Sequence, residues 1–307
     1  MQAVGVDLVF LLVSIGALWY GAESFVDGAV ALARRFQLSE VVVGVVILGI
    51  GTSLPEVATS VDAAVAGRPN VAVGNAVGSN LFNLGLVLGV VALLGAIRAP
   101  RMVRRRDAPV MLGATGLTAL ALFDLHLSRV EGVVLLTGLA GYLLLLARSD
   151  GSMDPPPESE DRQLVAAGRV VLGLALVVAG ADLLVSSASD LARLVGLSEW
   201  VIGETVVAVG TSSPELVAGI AAARRGTTAA AVGNVVGSSV FNLLGVLGLV
   251  AIVRPATVET AATGTVLWLV GLTVLVSVLL YTDERFTRGE GVVCMAVNAT
   301  RWVLDLV

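Results

Sequence analysis

Gly51-Thr-Ser-Leu-Pro-Glu56 lies inside an apolar run, Val41 to Ala66, that otherwise has the length and composition of a membrane-spanning helix. It puts two hydroxyls, a helix-breaking proline and a carboxylate where the bilayer centre belongs. The pattern returns 159 residues later as Gly210-Thr-Ser-Ser-Pro-Glu215. A glutamate within a membrane is costly, and its presence points to function. Two of them in matching broken helices predict an ion transporter with its site at the midplane.

The rest of the chain supplies the membrane around this motif. Of 307 residues, 56% are hydrophobic and only 14% charged, with a mean hydropathy of +0.93. That composition excludes a soluble enzyme. Apolar runs predict ten spans, at about 5–33, 40–66, 70–96, 108–124, 130–147, 164–192, 199–223, 228–253, 260–281 and 289–306. The first and sixth are long, roughly 28 residues or about 42 Å of helix, so they must tilt or project. Ser39-Glu40 and Ser198-Glu199 have the form of helix N-caps with an acidic first turn. Met1 to Val4 carries no basic run, which predicts a first span rather than a cleaved leader. The net charge of −5 carries no message about nucleic acid, because the charges lie in short loops. Cys294 is alone, which rules out an internal disulfide and a thiolate metal site, and is expected to be a packing residue. All 19 basic residues are arginine.

One connection differs from the others. Residues 149–162 are polar, acidic and proline-rich and are expected to be a solvated linker. They divide the chain into residues 1–148 and 163–307, five predicted spans each. The halves are repeats. With an offset of 159 and no gaps, residues 21–56 match 180–215 at 17 of 36 positions, and 70–89 match 229–248 at 13 of 20. Five is odd, so the second half is expected to enter the membrane inverted. Numbering the loops alternately puts fourteen arginines on one side, including Arg101, Arg104, Arg105, Arg106, Arg224, Arg225 and Arg285. Only Arg68, Arg129, Arg193, Arg254 and Arg301 fall on the other. The positive-inside rule makes the richer side cytoplasmic, with both termini outside and the linker inside. The expected fold is an all-α integral membrane protein of ten helices, arranged as two inverted five-helix repeats with broken helices at the ion site.

Pro55 cannot donate to the Gly51 carbonyl and its ring crowds it; Pro214 does the same to Gly210. The freed carbonyls must face protein, water or an ion. Beside them lie the hydroxyls of Thr52 and Ser53, or Thr211 and Ser212, and the carboxylates of Glu56 and Glu215. Carbonyl, hydroxyl and carboxylate oxygens suit hard cations, and the imidazole and thiolate that transition metals prefer are absent. Asn75, Ser79 and Asn83 are four apart and share one helix face; Asn234, Ser238 and Asn242 repeat the stripe. Gly74 and Gly78, with Gly233 and Gly237, permit close helix approach. The two glutamates should converge between these four spans.

Simpler readings stand beside these. Asn75, Asn234 and Asn80 can be polar glue between helices. Glu204 has Val45 at its matched position, and is either an internally bonded carboxylate or a group on the ion's access route. Glu23, Asp182, Glu40 and Glu199 flank span ends and fit snorkelling or capping.

The blocks GTSLPE with GNAVGSNLFN, and GTSSPE with GNVVGSSVFN, resemble the α-repeats of the cation/calcium exchanger superfamily, nearest to its prokaryotic sodium/calcium exchanger branch. The resemblance covers nearly the whole chain. It implies sodium-driven calcium antiport by alternating access, with Glu56 and Glu215 shared between the ions. It further implies that Thr52, Ser53, Thr211 and Ser212 add oxygens, that Ser79 and Ser238 ligate, and that Gly49 and Ala208 offer carbonyls. Asn83 and Asn242 would occupy the central position, and the long first and sixth spans would slide. Some relatives carry aspartate where Asn242 stands, and potassium-dependent exchangers use an acidic residue there. Asparagine at both copies therefore implies that potassium is not co-transported. Glu204 departs from a position that is commonly apolar in the family.

Two carboxylates face to face repel unless a cation neutralises them. Two formal negatives match one Ca²⁺ or two Na⁺, so occupancy by one excludes the other and exchange follows. The expected partners are calcium, sodium and the lipid bilayer, with no resident cofactor, no nucleic acid and no obligatory protein partner. The expected location is the plasma membrane. The alternatives are a proton/calcium exchanger on the same scaffold and a cation channel. An intramembrane hydrolase is disfavoured, because the lone histidine, His126, sits in a loop and no GxSxG occurs.

Overall fold

The computed structural model describes residues 2–35, 53–95, 97–148, 161–224, 228–282 and 285–305. The predicted site residues Gly49 and Thr52, the Ser39-Glu40 cap, the first half of the second span and linker residues 149–160 lie outside them.

The described chain is helical apart from two short strand pairs. Helix α1 is Gln2–Arg35, α2 is Leu54–Val65, and α3 is Pro69–Leu94 with a π-helical turn at Phe82–Val87. Helix α4 (Ala108–Ala121) is entered through a second π-turn, Val103–Asp107, and α5 is Arg129–Ala147. In the second half, α6 is Asp161–Val195. The next helix, α7, runs over 199–211 with a π-turn at Gly203–Val207, and α8 is Ser213–Arg224. Helix α9 spans 228–253 around a π-turn at Asn242–Val246, α10 is Ala261–Thr282 and α11 is Arg288–Asp305.

Among the described residues, six helices are long and apolar enough to cross a membrane: α1, α3, α5, α6, α9 and α10. Their burial sorts them. In α3 and α9, 78% and 83% of the apolar stretch is buried; in α5 it is 22%, and in α1 and α6 28%. The glycine- and asparagine-rich helices therefore form the centre, and valine- and leucine-rich faces form a lipid-compatible perimeter. Exposed Leu12, Leu120, Val130, Leu164 and Leu267 belong to it.

Helices α1 and α6 are 34 and 35 residues long, longer than the spans expected from hydropathy, and pack along each other. Small residues permit this. A Cβ on Gly21 would meet the carbonyl of Gly173 at 2.9 Å, and one on Gly180 would meet the Ser14 carbonyl at 3.1 Å. The pair also touches α2, α7 and α8, so it lies across the broken helices.

The strands join the two halves. β1 (Ile97–Arg98) pairs antiparallel with β4 (Arg285–Phe286), with Ile97 opposite Phe286. β2 (His126–Leu127) pairs with β3 (Ala256–Thr257), with Leu127 opposite Ala256. His126, expected in a plain loop, is thus a strand residue bonded to Thr257 at 3.0 Å. The caps follow the same spacing. Ser128 and Glu131 form a capping box at the start of α5, and Thr287 and Glu290 do so at the start of α11.

Two placements correct the sequence reading. Arg104, Arg105 and Arg106 lie in the helical turn leading into α4, not in a loop, because that helix begins earlier than residue 108. Arg301 is not a loop residue either. It sits within α11, is 8% exposed and is paired with Glu204, so it does not belong in the loop count. Its removal sharpens the arginine asymmetry.

Candidate functional site

The break in the second half falls where proline requires it. Helix α7 ends at Thr211 and α8 begins at Ser213, with Ser212 between them at φ −91° and ψ 7°. Pro214 lacks the N–H that would have bonded Gly210. In the first half, Ser53 holds the same place before α2, at φ −92° and ψ 11°. The two helix starts therefore present Glu56 and Glu215 in their first turns, where backbone N–H groups favour negative charge.

These starts meet. Ser212 Oγ donates to Glu56 Oε1 at 2.8 Å. Glu215 lies one turn beyond Ser212, and both glutamates are fully buried. The stripe on α3 closes one side. Thr211 Oγ1 donates to Asn75 Oδ1 at 3.0 Å and lies 3.4 Å from Ser79 Oγ. Asn75 Nδ2 donates to Ser60 Oγ at 2.9 Å and lies 3.4 Å from the Glu56 carbonyl. Asn75 thus bonds both repeats, and acts at least as glue. Ser60 was not singled out by sequence; its one signal is the helical spacing that places it one turn beyond Glu56.

The oxygens left over are as telling as the bonds. Among the described residues, Glu56 Oε2, both carboxylate oxygens of Glu215, Ser53 Oγ and the side-chain amides of Asn83 and Asn242 are buried without a hydrogen-bond partner. Buried polar atoms are rarely left so in native proteins. A cluster of carboxylate, hydroxyl and amide oxygens in a dry centre fits a hard cation with its flexible oxygen shell. Asn83 and Asn242 each lie at the start of a π-turn, which tilts the local carbonyls out of the helical ladder. No hydropathy pattern announces those turns.

The second stripe is placed differently. Ser238, with Asn234 and Gly237, lines a cavity of about 400 Å³ that also touches Arg106, Asp107, Tyr142 and Phe241. Ala208 lies at the first turn after the π-turn of α7, and its carbonyl is 3.3 Å from Thr211 Oγ1. Asn80 lies off the stripe, and its amide bonds the Ala76 carbonyl at 2.7 Å, a structural contact. Among the described residues no cluster of three His, Cys, Asp or Glu occurs.

The family model for the sodium/calcium exchanger protein matches residues 6–148 and 165–299. The chain belongs to the sodium/calcium exchanger family. The two matched segments flank the polar linker. The sodium/calcium exchanger MaX1 of Methanosarcina acetivorans is 30% identical over 94% of this chain and 95% of its own length. The inner membrane protein YrbG of Escherichia coli K12 is 34% identical over 82% of this chain and 81% of its own. The solved structure of the sodium-calcium exchanger NCX_Mj, soaked with sodium and strontium, superposes with a TM-score of 0.71 at 31% identity and covers 98% of both chains. Membership places the chain among multi-pass membrane antiporters and not among enzymes.

Proposed function

We propose that this chain exchanges sodium for calcium across the plasma membrane by alternating access, with both ions competing for a midplane site built on Glu56 and Glu215. The observation that carries this reading is the Ser212–Glu56 hydrogen bond, which joins the two GTS-x-P-E motifs and surrounds them with unpartnered buried oxygens. Ser53, Thr211, Ser79, Ser238, Asn83, Asn242 and the Ala208 carbonyl complete the shell, with Thr52 of the first motif and the Gly49 carbonyl just before it. Two carboxylates in a water-poor site hold one Ca²⁺ or two Na⁺, not both together. A ligand can shift the outward–inward equilibrium only through its differential affinity for the two states. Mutual exclusion at one site then gives counterflow.

The scaffold is ten spans in two inverted repeats, residues 1–148 and 163–307, joined by a cytoplasmic linker at 149–162, with both termini outside. The strand pairs support this. Under the offset of 159, β1 becomes β3 and β4 becomes β2, so the pair Ile97–Phe286 maps onto Ala256–Leu127 in register. A two-fold relation between inverted halves exchanges the pairs in this way. The sliding elements are α1 and α6.

A proton/calcium exchanger would use the same carboxylates, so the test separates the two. Proteoliposomes loaded with sodium and diluted into sodium-free buffer are expected to accumulate calcium. Uptake no greater than in protein-free vesicles would sink the proposal. Uptake driven only by a pH step would favour the proton exchanger, and flux without counterflow would favour a channel.

A further inference from the structure

One buried charged cluster lies outside the site. Glu204 stands on the π-turn of α7 and Arg301 on α11, with Arg301 Nη2 at 3.5 Å from Glu204 Oε1 and side-chain exposures of 10% and 1%. The same Nη2 donates to Thr265 Oγ1 of α10 at 2.7 Å, and Trp200 Nε1 of α7 donates to that hydroxyl at 2.9 Å. Two side chains of α7 are thereby tied to α10 and α11.

The backbone of the same turns of α7 bears on α3. A Cβ on Gly78 would fall inside the Glu204 backbone, and one on Gly74 would meet the Trp200 carbonyl at 3.1 Å. Gly203 of α7 is equally close to Val71. Ser79 is the next residue on α3, and it faces Thr211 at 3.4 Å. The clamp thus grips α7 two turns before Thr211, through α10 and α11, which themselves pack against α3.

The first repeat is built otherwise. Val45 matches Glu204 and Tyr142 matches Arg301. The Tyr142 hydroxyl lies 3.3 Å from Asp107, on the turn before α4. The duplication therefore carries a charge pair at these positions in one copy only. A buried ion pair offsets its own desolvation at best, whereas loss of one partner leaves a charge stranded in a dry core. Such a pair specifies position more than it adds stability.

We propose that Glu204 and Arg301 are a positioning pair for the ion site. They fix α7 against the glycine face of α3, keep Thr211 opposite Ser79, and so set calcium affinity from the second repeat. This rests on the reading of the Glu56–Glu215 site as a calcium site.

The test titrates calcium into the purified full-length protein by calorimetry, alongside sodium-driven calcium uptake in proteoliposomes. The variants are Arg301→Leu, Glu204→Gln and the double Glu204→Val with Arg301→Tyr, which installs the residues of the first repeat. Arg301→Leu is expected to weaken calcium binding roughly tenfold, the equivalent of about 1.4 kcal/mol. The double variant should recover to within about threefold of wild type, a non-additive result that marks a coupled pair. In uptake, KM for calcium should rise while the maximal rate stays within about twofold. If Arg301→Leu does not fold, the double variant carries the test, and wild-type affinity in Glu204→Gln would overturn the proposal. So would additive effects, or wild-type calcium affinity in variants that merely melt at lower temperature. A wild-type protein that binds no calcium would instead remove the reading of the site itself.

Discussion

Ser212 and Glu56 are 156 residues apart, and a 2.8 Å hydrogen bond joins them. Each belongs to a copy of the same hexapeptide, so the bond is a contact of the duplicated motif with itself. Glu56 is held by a hydroxyl from the other half, and that hydroxyl stands one turn before Glu215.

Neutralising either carboxylate should end exchange. Glu56→Gln and Glu215→Gln keep the shape of the side chain but leave a single negative charge for a divalent ion. Both proteins are expected to insert and purify normally, while sodium-driven calcium uptake falls to the protein-free background. A variant that transports at the wild-type rate would remove its carboxylate from the site.

The hydrogen bond itself is asymmetric, and this can be measured without transport. Ser212→Ala strands Glu56 Oε1, whereas Ser53 Oγ makes no protein hydrogen bond. In calcium-free detergent, Ser212→Ala should cost about 1–3 kcal/mol of stability, the usual penalty for a buried acceptor that loses its donor. Ser53→Ala should cost less. Equal melting shifts in the two variants would contradict the geometry.

Glycine at position 78 is required by contact and not by backbone conformation. A methyl group there overlaps the Glu204 backbone, so Gly78→Ala should destabilise the protein by about 1–3 kcal/mol. Gly116 is exposed on α4 with nothing within 4 Å of an added Cβ. Gly116→Ala should be neutral, or should stabilise by up to about 1 kcal/mol through helix propensity. Thermal unfolding distinguishes the two, and equal effects would contradict the packing.

The inverted arrangement has a labelling test. In a Cys294→Ala background, exposed His126, Thr257 and Met102 are each replaced by cysteine. An impermeant maleimide added to intact cells is expected to label positions 126 and 257 but not 102. Labelling of 102 together with 257 would put matched segments of the two halves on one side and break the inverted relation.

Much of this was legible before any coordinates. The repeat, the prolines and the Asn–Ser–Asn stripes are local patterns; the first stripe meets Thr211 of the second motif, whereas the second lines a cavity beside Arg106 and Tyr142. The long first and sixth spans emerged longer still, because helices that project from hydrocarbon continue through polar residues that hydropathy excludes. Less was legible around Arg301. Counted with loop charges by its position near a span end, it is buried, because Glu204, a remote residue on another helix, compensates its charge.

Sequence by itself determined that the chain is a duplicated membrane protein with a carboxylate beside a proline in each half. Those properties depend on composition, spacing and the backbone chemistry of proline, all of which act within a few residues. Only the tertiary structure decided which groups meet. The Ser212–Glu56 bond, the π-turns at Asn83 and Asn242, the in-register exchange of strand pairs and the Glu204–Arg301 clamp depend on how helices pack. Packing responds to shape and burial summed over remote residues, and a single sequence does not display that sum.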